Sequence, residues 1–241
     1  MRFLVSIDDT DNLDSPGTGE IAQLIRDDLE KKGYASTAFI TRHQLFIHSS
    51  IAYTSHNSSM CFELQSQVSE PMLTGFIADQ LEHYAVEDSD PGLCIINLAH
   101  YQNKAGLIQF GQAAKTDVLN KDLAYALAQQ SGIHLSEHGG DGSGIIGALA
   151  GAGLRLSGED GRLRGSLSFN ETSMTVTDIL QHPDIEGVFS TNHEPLCATE
   201  RIAFIDHPKT VMQGGRPVLL VTHDTSLQAW RNLTRKELKH Y

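Results

Sequence analysis

The sequence has few cysteines and no long hydrophobic run. Its three cysteines, Cys61, Cys94 and Cys197, are widely spaced, which excludes a disulfide framework and a zinc site built from closely paired cysteines. We expect all three to be small buried residues in a protein of the reducing cytoplasm. No apolar run approaches the roughly 18 residues that cross a bilayer, and the N-terminus lacks a signal-peptide pattern. We therefore expect a cytoplasmic protein without a membrane partner.

Basic residues are also scarce. The chain has 18 Lys and Arg against 30 Asp and Glu, which gives a formal net charge of -12 at pH 7. Phosphate contacts supply most of the affinity for nucleic acids, so proteins that bind them alone normally carry a basic patch. The densest basic segment is the C-terminal RNLTRKELKHY, which we predict to be a helix with a solvated charged face. The 12 histidines are scattered without metal-ligand spacing. This composition argues against independent nucleic-acid binding.

The chain does have a dense acidic turn near its start. Asp8, Asp9, Asp11 and Asp14 follow the apolar run 3–7, which predicts a buried first strand. Like charges this close repel one another, so a fold that gathers them needs a counter-charge. A divalent cation, usually with a phosphate, is the common solution. The alternative is a solvated turn with Asp14 capping the next helix.

Alternating hydrophobic patterns predict an α/β or α+β fold of mixed sheets flanked by helices. An amphipathic helix follows the acidic turn, and Gly33 ends it before a strand over 34–41. A hairpin turn is predicted at 159–161, between strands around Leu156 and Leu167. Further strands are predicted near 44–50, 59–66, 93–98, 154–157, 165–169, 185–189, 200–206 and 217–223. Further helices are predicted near 69–84, 117–131, 143–152, 174–181 and 226–238.

A glycine-rich segment, EHGGDGSGIIGALAGAG, spans 137–153 and leads into an apolar helix. Glycines before a helix let backbone N–H groups approach a phosphate, and the helix dipole favours the anion. It is not a Walker A loop, because no GK[ST] follows the glycines. It is also a poor dinucleotide fingerprint, because no apolar strand leads into it. The alternative is a flexible loop before a tightly packed helix.

Two polar segments lie between these motifs. The first contains Arg42 and His43 at the end of a strand, followed by the polar run Tyr53, Thr54, Ser55, His56 and Asn57. The second is SDPGL at 89–93, which precedes an apolar strand. Polar turns are common, and on physical grounds both segments are interpreted as ordinary turns.

Taken together, these four segments occur in an order that resembles the N-terminal part of the tRNA-isoleucine agmatinylcytidine synthetases. These are ATP-dependent enzymes that modify a wobble cytidine. Their first motif looks like GIDDTDSxxGMCTTYLA, and 7–22 aligns with it without a gap. In that alignment Thr18 falls on the threonine that those enzymes autophosphorylate. The resemblance covers roughly the first two-thirds of the chain, and IDDTD is its specific element.

The resemblance implies a kinase-like ATP-binding module and a ferredoxin-like module. The first would comprise 1–58 with 132–170 and the second 59–131, while 171–241 would complete one of the two sheets. Asp8, Asp9 and Asp11 would hold Mg²⁺ and the ATP phosphates, and these three and Thr18 would be the catalytic residues. The loop residues beside the nucleotide would be Gly139, Gly140, Asp141, Gly142, Ser143 and Gly144.

The chain departs from the family pattern in three respects. Gly17 and Gly19 replace the Cys and Thr that flank the family's threonine, and the oligonucleotide-binding and zinc-ribbon domains have no counterpart. The acidic charge removes the expected RNA surface, so tRNA, although implied by the resemblance, is disfavoured as a partner. We expect a Mg²⁺- and ATP-dependent phosphotransferase or ligase with a nucleotide and a small-molecule acceptor.

Two other functions stay open on the sequence. One is a non-catalytic module that binds a nucleotide or a metal. The other is a haloacid-dehalogenase-like phosphatase, whose hhhhDxDx[TV] signature is approached by 5–13, with Leu13 where Thr or Val belongs.

Overall fold

The computed structural model describes residues 1–12, 14–53 and 56–241. The chain forms two compact units, Met1–Ser157 and Gly158–Tyr241. The sequence predicted boundaries at 58/59, 131/132 and 170/171 instead, and the kinase-like and ferredoxin-like modules stay predictions. Helices and strands alternate along the chain, and the sheets contain both antiparallel and parallel pairs, which confirms the α+β class.

The first unit is built on an antiparallel sheet. Its strands are β1 Arg2–Asp8, β2 Ala35–Gln44, β3 Ser58–Ser66, β4 Gly92–Asn97 and β5 His134–Glu137. They are ordered β5-β4-β1-β3-β2, and each neighbouring pair is antiparallel. β1 therefore lies at the centre of this sheet, and its last residue, Asp8, is paired with Gly92 at the start of β4.

Helices cover both faces of this sheet. They are α1 Thr18–Lys31, α2 Glu70–Tyr84, α3 Lys104–Ala113, α4 Lys121–Ser131 and α5 Gly144–Ser157. Side chains alternate along a strand, so Phe3, Val5 and Ile7 of β1 pack with the buried residues of α1 and α2. Leu4 belongs to a second core formed with α3, α4 and α5. Asp8 shares the face of Leu4 and therefore points towards α5.

Helix α5 is the most deeply buried helix of this unit, because 11 of its 14 residues are buried. Glycine lets it approach its neighbours closely. A Cβ added to Gly151 would lie 2.1 Å from Ser59 Oγ, and one added to Gly153 would lie 2.0 Å from the carbonyl oxygen of Leu107. The small residues that the sequence shows in this helix therefore serve close packing against β3 and α3.

The second unit has its own strands and one short helix. These are β6 Arg162–Leu163, β7 Ser173–Thr175, α6 Val176–Ile179, β8 Gly187–Ser190, β9 Arg201–Ala203, β10 Thr210–Gln213, β11 Arg216–Asp224 and β12 Ala229–Asn232. Six strands are ordered β6-β10-β11-β12-β9-β7, and β8 pairs with β11 in parallel. Ile202, Leu219 and Val221 form part of its main core.

Several predicted elements are wrong. The predicted strand at 154–157 is instead the end of α5, because the apolar helix continues to Ser157. The predicted hairpin at 159–161 is therefore wrong, since no strand precedes it. The predicted strand at 44–50 is wrong beyond Gln44, where β2 ends. The predicted strand at 165–169 does not form. The predicted helix near 226–238 is wrong, because residues 229–232 form β12 and pair with β11, and residues 235–240 form turns. Arg231 bonds to both Asp224 and Glu237.

Sequence reasoning also missed α3, β5, β6, β7 and β10. Cys61 and Cys94 are buried as expected, but Cys197 is exposed. Among the described residues, no helix is both long and apolar enough to cross a membrane.

Candidate functional site

The acidic turn begins at the buried end of β1. Asp8 is only 8% exposed, and Asp9 has a left-handed backbone conformation with φ +53°. A non-glycine residue rarely adopts this conformation, and where it occurs it often marks a functional turn. The backbone therefore turns at Asp9, directly after β1, and Asp8, Asp9 and Asp11 line the same cavity.

Burial and neighbouring carboxylates raise the pKa of Asp8 and of Asp9. Burial, then the charges of Asp9 and Asp11, raise the pKa of Asp8 to about 8, although the positive charge of Arg42 acts in the opposite direction. Burial, followed by the charges of Asp90, Asp11 and Asp141, raises the pKa of Asp9 to about 6. Such shifts mean that the ionised cluster lacks sufficient counter-charge.

Asp11 is connected to the first helix through Thr18. The Thr18 hydroxyl is buried and donates a hydrogen bond of 2.7 Å to Asp11 Oδ1. Thr18 is the first residue of α1, whose N-cap is Gly17 without a side-chain cap. The prediction that Asp14 caps this helix is therefore wrong: its backbone N–H instead bonds to Asn12 Oδ1 at 3.0 Å.

The glycine-rich loop is anchored by Asp90. The Asp90 carboxylate accepts a hydrogen bond from the backbone N–H of Asp141. A Cβ on Gly140 would lie 1.7 Å from Asp90 Oδ1, and Gly140 has φ +52°, so this close approach needs glycine. Asp141 in turn accepts from the Ser143 N–H at 2.8 Å. The SDPGL turn is thus no ordinary turn, because it holds the loop that precedes α5.

The first turn of α5 lies directly beside the end of the central strands. A Cβ on Gly92 would lie 2.2 Å from the Gly144 carbonyl carbon, and one on Gly147 would lie 1.5 Å from Asp8 Oδ2. The N-terminus of a helix presents free N–H groups and a partial positive charge. The geometry therefore brings a positive helix end to the carboxylate cluster.

These elements surround a cavity of about 290 Å³. Its acidic end is lined by Asp8, Asp9, Asp11, Thr18, Asp141, Ser143, Gly144 and Gly147. Its apolar wall is formed by Leu45, Ile51, Ala52, Ala114, Val118, Leu119 and Ile146. Other polar groups on the wall are Ser50, Tyr53, His56, Asn57, Ser58 and Asp117. Chemically, the cavity combines an apolar slot with a polar end that favours cations.

The structure thus brings most of the predicted site residues together. Gly139, Gly140 and Gly142 shape the loop but are not among the residues that line the cavity. From the polar segment interpreted as an ordinary turn, Tyr53, His56 and Asn57 do line it. Asn57 also supports the segment, since its side-chain amide donates to the Phe46 carbonyl at 2.6 Å. The predicted positions Leu13, Thr54 and Ser55 lie outside the described residues.

Sequence reasoning missed Asp90, Asp117 and the apolar wall. Asp90 belongs to a motif that was noticed, but nothing in its local pattern shows that it faces Asp141. Across residues 1–12, 14–53 and 56–241, no three His, Cys, Asp or Glu side chains are arranged so that they could hold a metal ion as they stand. Metal binding by Asp8, Asp9 and Asp11 therefore stays a prediction.

Solved structures with a similar fold come from tRNA-modifying enzymes. Apo TiaS, an agmatidine synthetase that acts on an isoleucine tRNA, has a TM-score of 0.58 and 22% identity over 82% of this chain and 48% of that chain. The complex of TiaS with its tRNA and ATP has a TM-score of 0.59 and 23% identity over 82% of this chain and 49% of that one. The resemblance to the N-terminal part of TiaS is confirmed.

A further structure, a tRNA fluorescent labeling enzyme, has a TM-score of 0.56 and 26% identity over 64% of this chain and 36% of its own. The chain thus spans about half or less of the length of these structures. No family model matches the chain, and no curated protein matches it.

Proposed function

We propose that this protein is a Mg²⁺- and ATP-dependent phosphotransferase or ligase that acts on a small-molecule acceptor. One observation carries the proposal. Asp8, Asp9 and Asp11 converge with the first turn of α5 at one end of a cavity that is apolar along its other wall. The similarity to TiaS, one of whose structures is a complex with tRNA and ATP, supports a nucleotide as the ligand.

The apolar wall of the cavity suits the base of a nucleotide, and its polar end suits the phosphates. An aromatic base is largely apolar and fits between Leu45, Ile51 and Val118, as ligand pockets usually bury apolar surface. The phosphates suit the other end, where α5 begins at Gly144 and its first turn offers backbone N–H groups. Gly147 leaves room in this helix turn for the Asp8 carboxylate, which therefore stands next to the helix N-terminus.

The same end requires a cation. None of the described residues that line the cavity is Lys or Arg, and five of them are aspartates, including Asp117 and Asp141. A triphosphate entering alone would be repelled by these carboxylates. Carboxylate oxygens are the ligands that Mg²⁺ prefers in proteins, so the donor set fits this ion. When bound, Mg²⁺ would supply charge neutralisation on the phosphates.

The residues of the chain then have separate roles. Asp8, Asp9 and Asp11 would hold the cation, and Thr18 would orient Asp11 through its hydrogen bond. The N-terminus of α5 would stabilise negative charge on the phosphates. Alternatively, Asp9 or Asp11 would accept a proton from the acceptor.

Calorimetric titration with ATP tests the proposal. We expect binding with Mg²⁺ present, loss of binding with a chelator, and affinity reduced by at least about tenfold in Asp9→Asn. Asp14→Asn is the matched control, because Asp14 belongs to the same turn but is exposed and outside the cavity. ATP binding that is unaffected by Asp9→Asn and by removal of Mg²⁺ would contradict the proposed site.

Assays of ATP consumption and of phosphatase activity distinguish the proposed enzyme from a non-catalytic module and from a phosphatase. ATP consumption with a panel of acceptors, including agmatine-like amines and tRNA, supports a transferase or ligase. ATP binding without consumption across that panel would favour a non-catalytic module instead. Hydrolysis of p-nitrophenyl phosphate without ATP, lost in Asp9→Asn, would favour the haloacid-dehalogenase-like phosphatase.

A further inference from the structure

The second unit contains a buried arginine without an acidic partner. Arg162, in β6, is only 7% exposed. Its guanidinium contacts the Leu238 carbonyl oxygen at 3.5 Å, and it forms no ion pair with a carboxylate of the described residues. Burying a charge is costly unless it is paired, because the charge loses its hydration. Arg162 therefore needs a counter-charge that the described chain does not provide.

Three other cations come from segments that lie next to Arg162. Lys209 precedes β10, which pairs with β6 through Val211 and Arg162, and its ammonium contacts the Gly165 carbonyl. The backbone bond from Leu167 N–H to the Pro208 carbonyl, at 2.9 Å, joins the same two segments. Arg164 lies in the segment between Arg162 and Leu167. Arg235 lies in the C-terminal segment, whose Leu238 carbonyl contacts Arg162.

These cations repel one another. Burial, followed by the charges of Arg162, Arg235 and Arg164, lowers the pKa of Lys209, while Asp206 acts weakly in the opposite direction. Burial and the charge of Arg235 lower the pKa of Arg162. Asp206 is exposed, and the backbone N–H groups of His207 and Arg235 occupy its carboxylate. The cluster therefore keeps an excess of positive charge on a chain whose net charge is -12.

We propose that Arg162, Arg164, Lys209 and Arg235 form a binding site for the phosphate group of a small phosphorylated ligand, separate from the acidic cavity. Arginine suits this role because its planar fork binds phosphate oxygens in pairs, and lysine adds a point charge. A compact group of four cations fits a phosphate monoester. A nucleic-acid backbone would need a longer basic stripe.

The test uses the full chain and inorganic phosphate as the probe. Calorimetry or NMR titration at constant ionic strength, with chloride as the balancing anion, measures the affinity. We expect Lys209→Gln to weaken phosphate binding by at least about tenfold. Lys236→Gln is the matched control, because Lys236 is exposed and adjoins Arg235 but does not influence the pKa of Lys209. We expect this variant to bind phosphate as the parent does.

Arg162→Met supplies a second measurement that does not depend on affinity. Methionine fills similar space without a charge, so the variant should fold and its melting temperature should equal or exceed that of the parent without phosphate. Phosphate should raise the melting temperature of the parent but not of this variant.

Three results would overturn the proposal. The first is no phosphate binding up to about 10 mM, a concentration that would nearly saturate a site with a millimolar Kd. The second is equal phosphate binding by the parent and Lys209→Gln. The third is binding of a short single-stranded RNA without any response to inorganic phosphate, which would indicate a phosphodiester ligand.

Discussion

The carboxylate of Asp8 lies so close to Gly147 that a Cβ on this glycine would stand 1.5 Å from Asp8 Oδ2. Real Cβ atoms do not approach another atom this closely, so glycine is required at this position of α5. The contact joins the end of the central strand to the first turn of the helix. It thereby sets where the buried carboxylate stands relative to the helix N-terminus.

Gly147→Ala should therefore displace Asp8 or the helix. We expect a loss of stability on the order of 1–3 kcal/mol, as for other overpacked sites, together with weaker Mg²⁺–ATP binding. The control is Gly75→Ala in α2, where an added Cβ meets no atom within 4 Å. That variant should gain roughly 0.5–1 kcal/mol, because alanine is the better helix former. Urea unfolding measures both, and equal effects of the two substitutions would contradict the contact.

The stability of the ligand-free protein should decrease as the pH rises from about 4 to 8. The folded-state pKa of Asp8 is raised to about 8 and that of Asp9 to about 6, from an ordinary value of 3.8. Between these values the folded state keeps protons that the unfolded state has released, so raising the pH favours unfolding. Unfolding midpoints measured in a chelator across this range test the prediction.

Asp8→Asn separates this effect from other titrations. The amide cannot ionise, so the variant should be more stable than the parent at pH 8 by up to about 5 kcal/mol, and the difference should shrink towards pH 4. Added Mg²⁺ should restore stability to the parent and not to the variant. A variant that is less stable than the parent at pH 8 would show that the Asp8 carboxylate already has its counter-charge.

The sequence predicts the acidic turn and the glycine loop because both signals are local. An apolar run followed by aspartates marks the end of a buried strand, and clustered glycines mark a loop that needs unusual backbone angles. The anchoring role of Asp90 could not be predicted in this way. It depends on the register that pairs Asp8 with Gly92, and strand register is not visible in the surrounding residues.

The same limit explains the errors in the second unit. The predicted helix at 226–238 contains helix-forming residues, yet Trp230 and Arg231 pair with β11, because tertiary pairing outweighs local propensity. Arg162 and Arg235 lie far apart in the sequence, so no window of residues shows them as one basic cluster. The negative net charge of the whole sequence therefore gives no sign of the basic cluster that the fold assembles.

Thr18→Val should weaken Mg²⁺–ATP binding by several-fold without unfolding the protein. Valine matches the shape of threonine but removes the hydroxyl that donates to Asp11 Oδ1 at 2.7 Å. A hydrogen bond to a charged group contributes roughly 1.5–3 kcal/mol, part of which is lost as Asp11 reorients. Thr18→Ser keeps the donor and is expected to bind nearly as the parent does. If the valine and serine variants bind equally, the hydroxyl does not position Asp11.

Asp90→Ala should release the glycine-rich loop while leaving the sheet intact. The Asp90 carboxylate accepts the Asp141 N–H, and its removal leaves this loop without its anchor. We expect faster amide hydrogen exchange at Asp141 and Ser143 and about a tenfold loss of Mg²⁺–ATP affinity, since the loop precedes the helix end that faces the phosphates.

Asp88→Ala is the matched control, because Asp88 lies in the same turn, is exposed and does not line the cavity. In this variant the amide hydrogens of the glycine-rich loop should exchange at the same rate as in the parent. Equal protection of the loop amides from exchange in Asp90→Ala and Asp88→Ala would contradict this role. It would mean that Gly92 and the packing of α5 hold the loop without Asp90. The carboxylate of Asp90 would then contribute to the site only through its charge on Asp9.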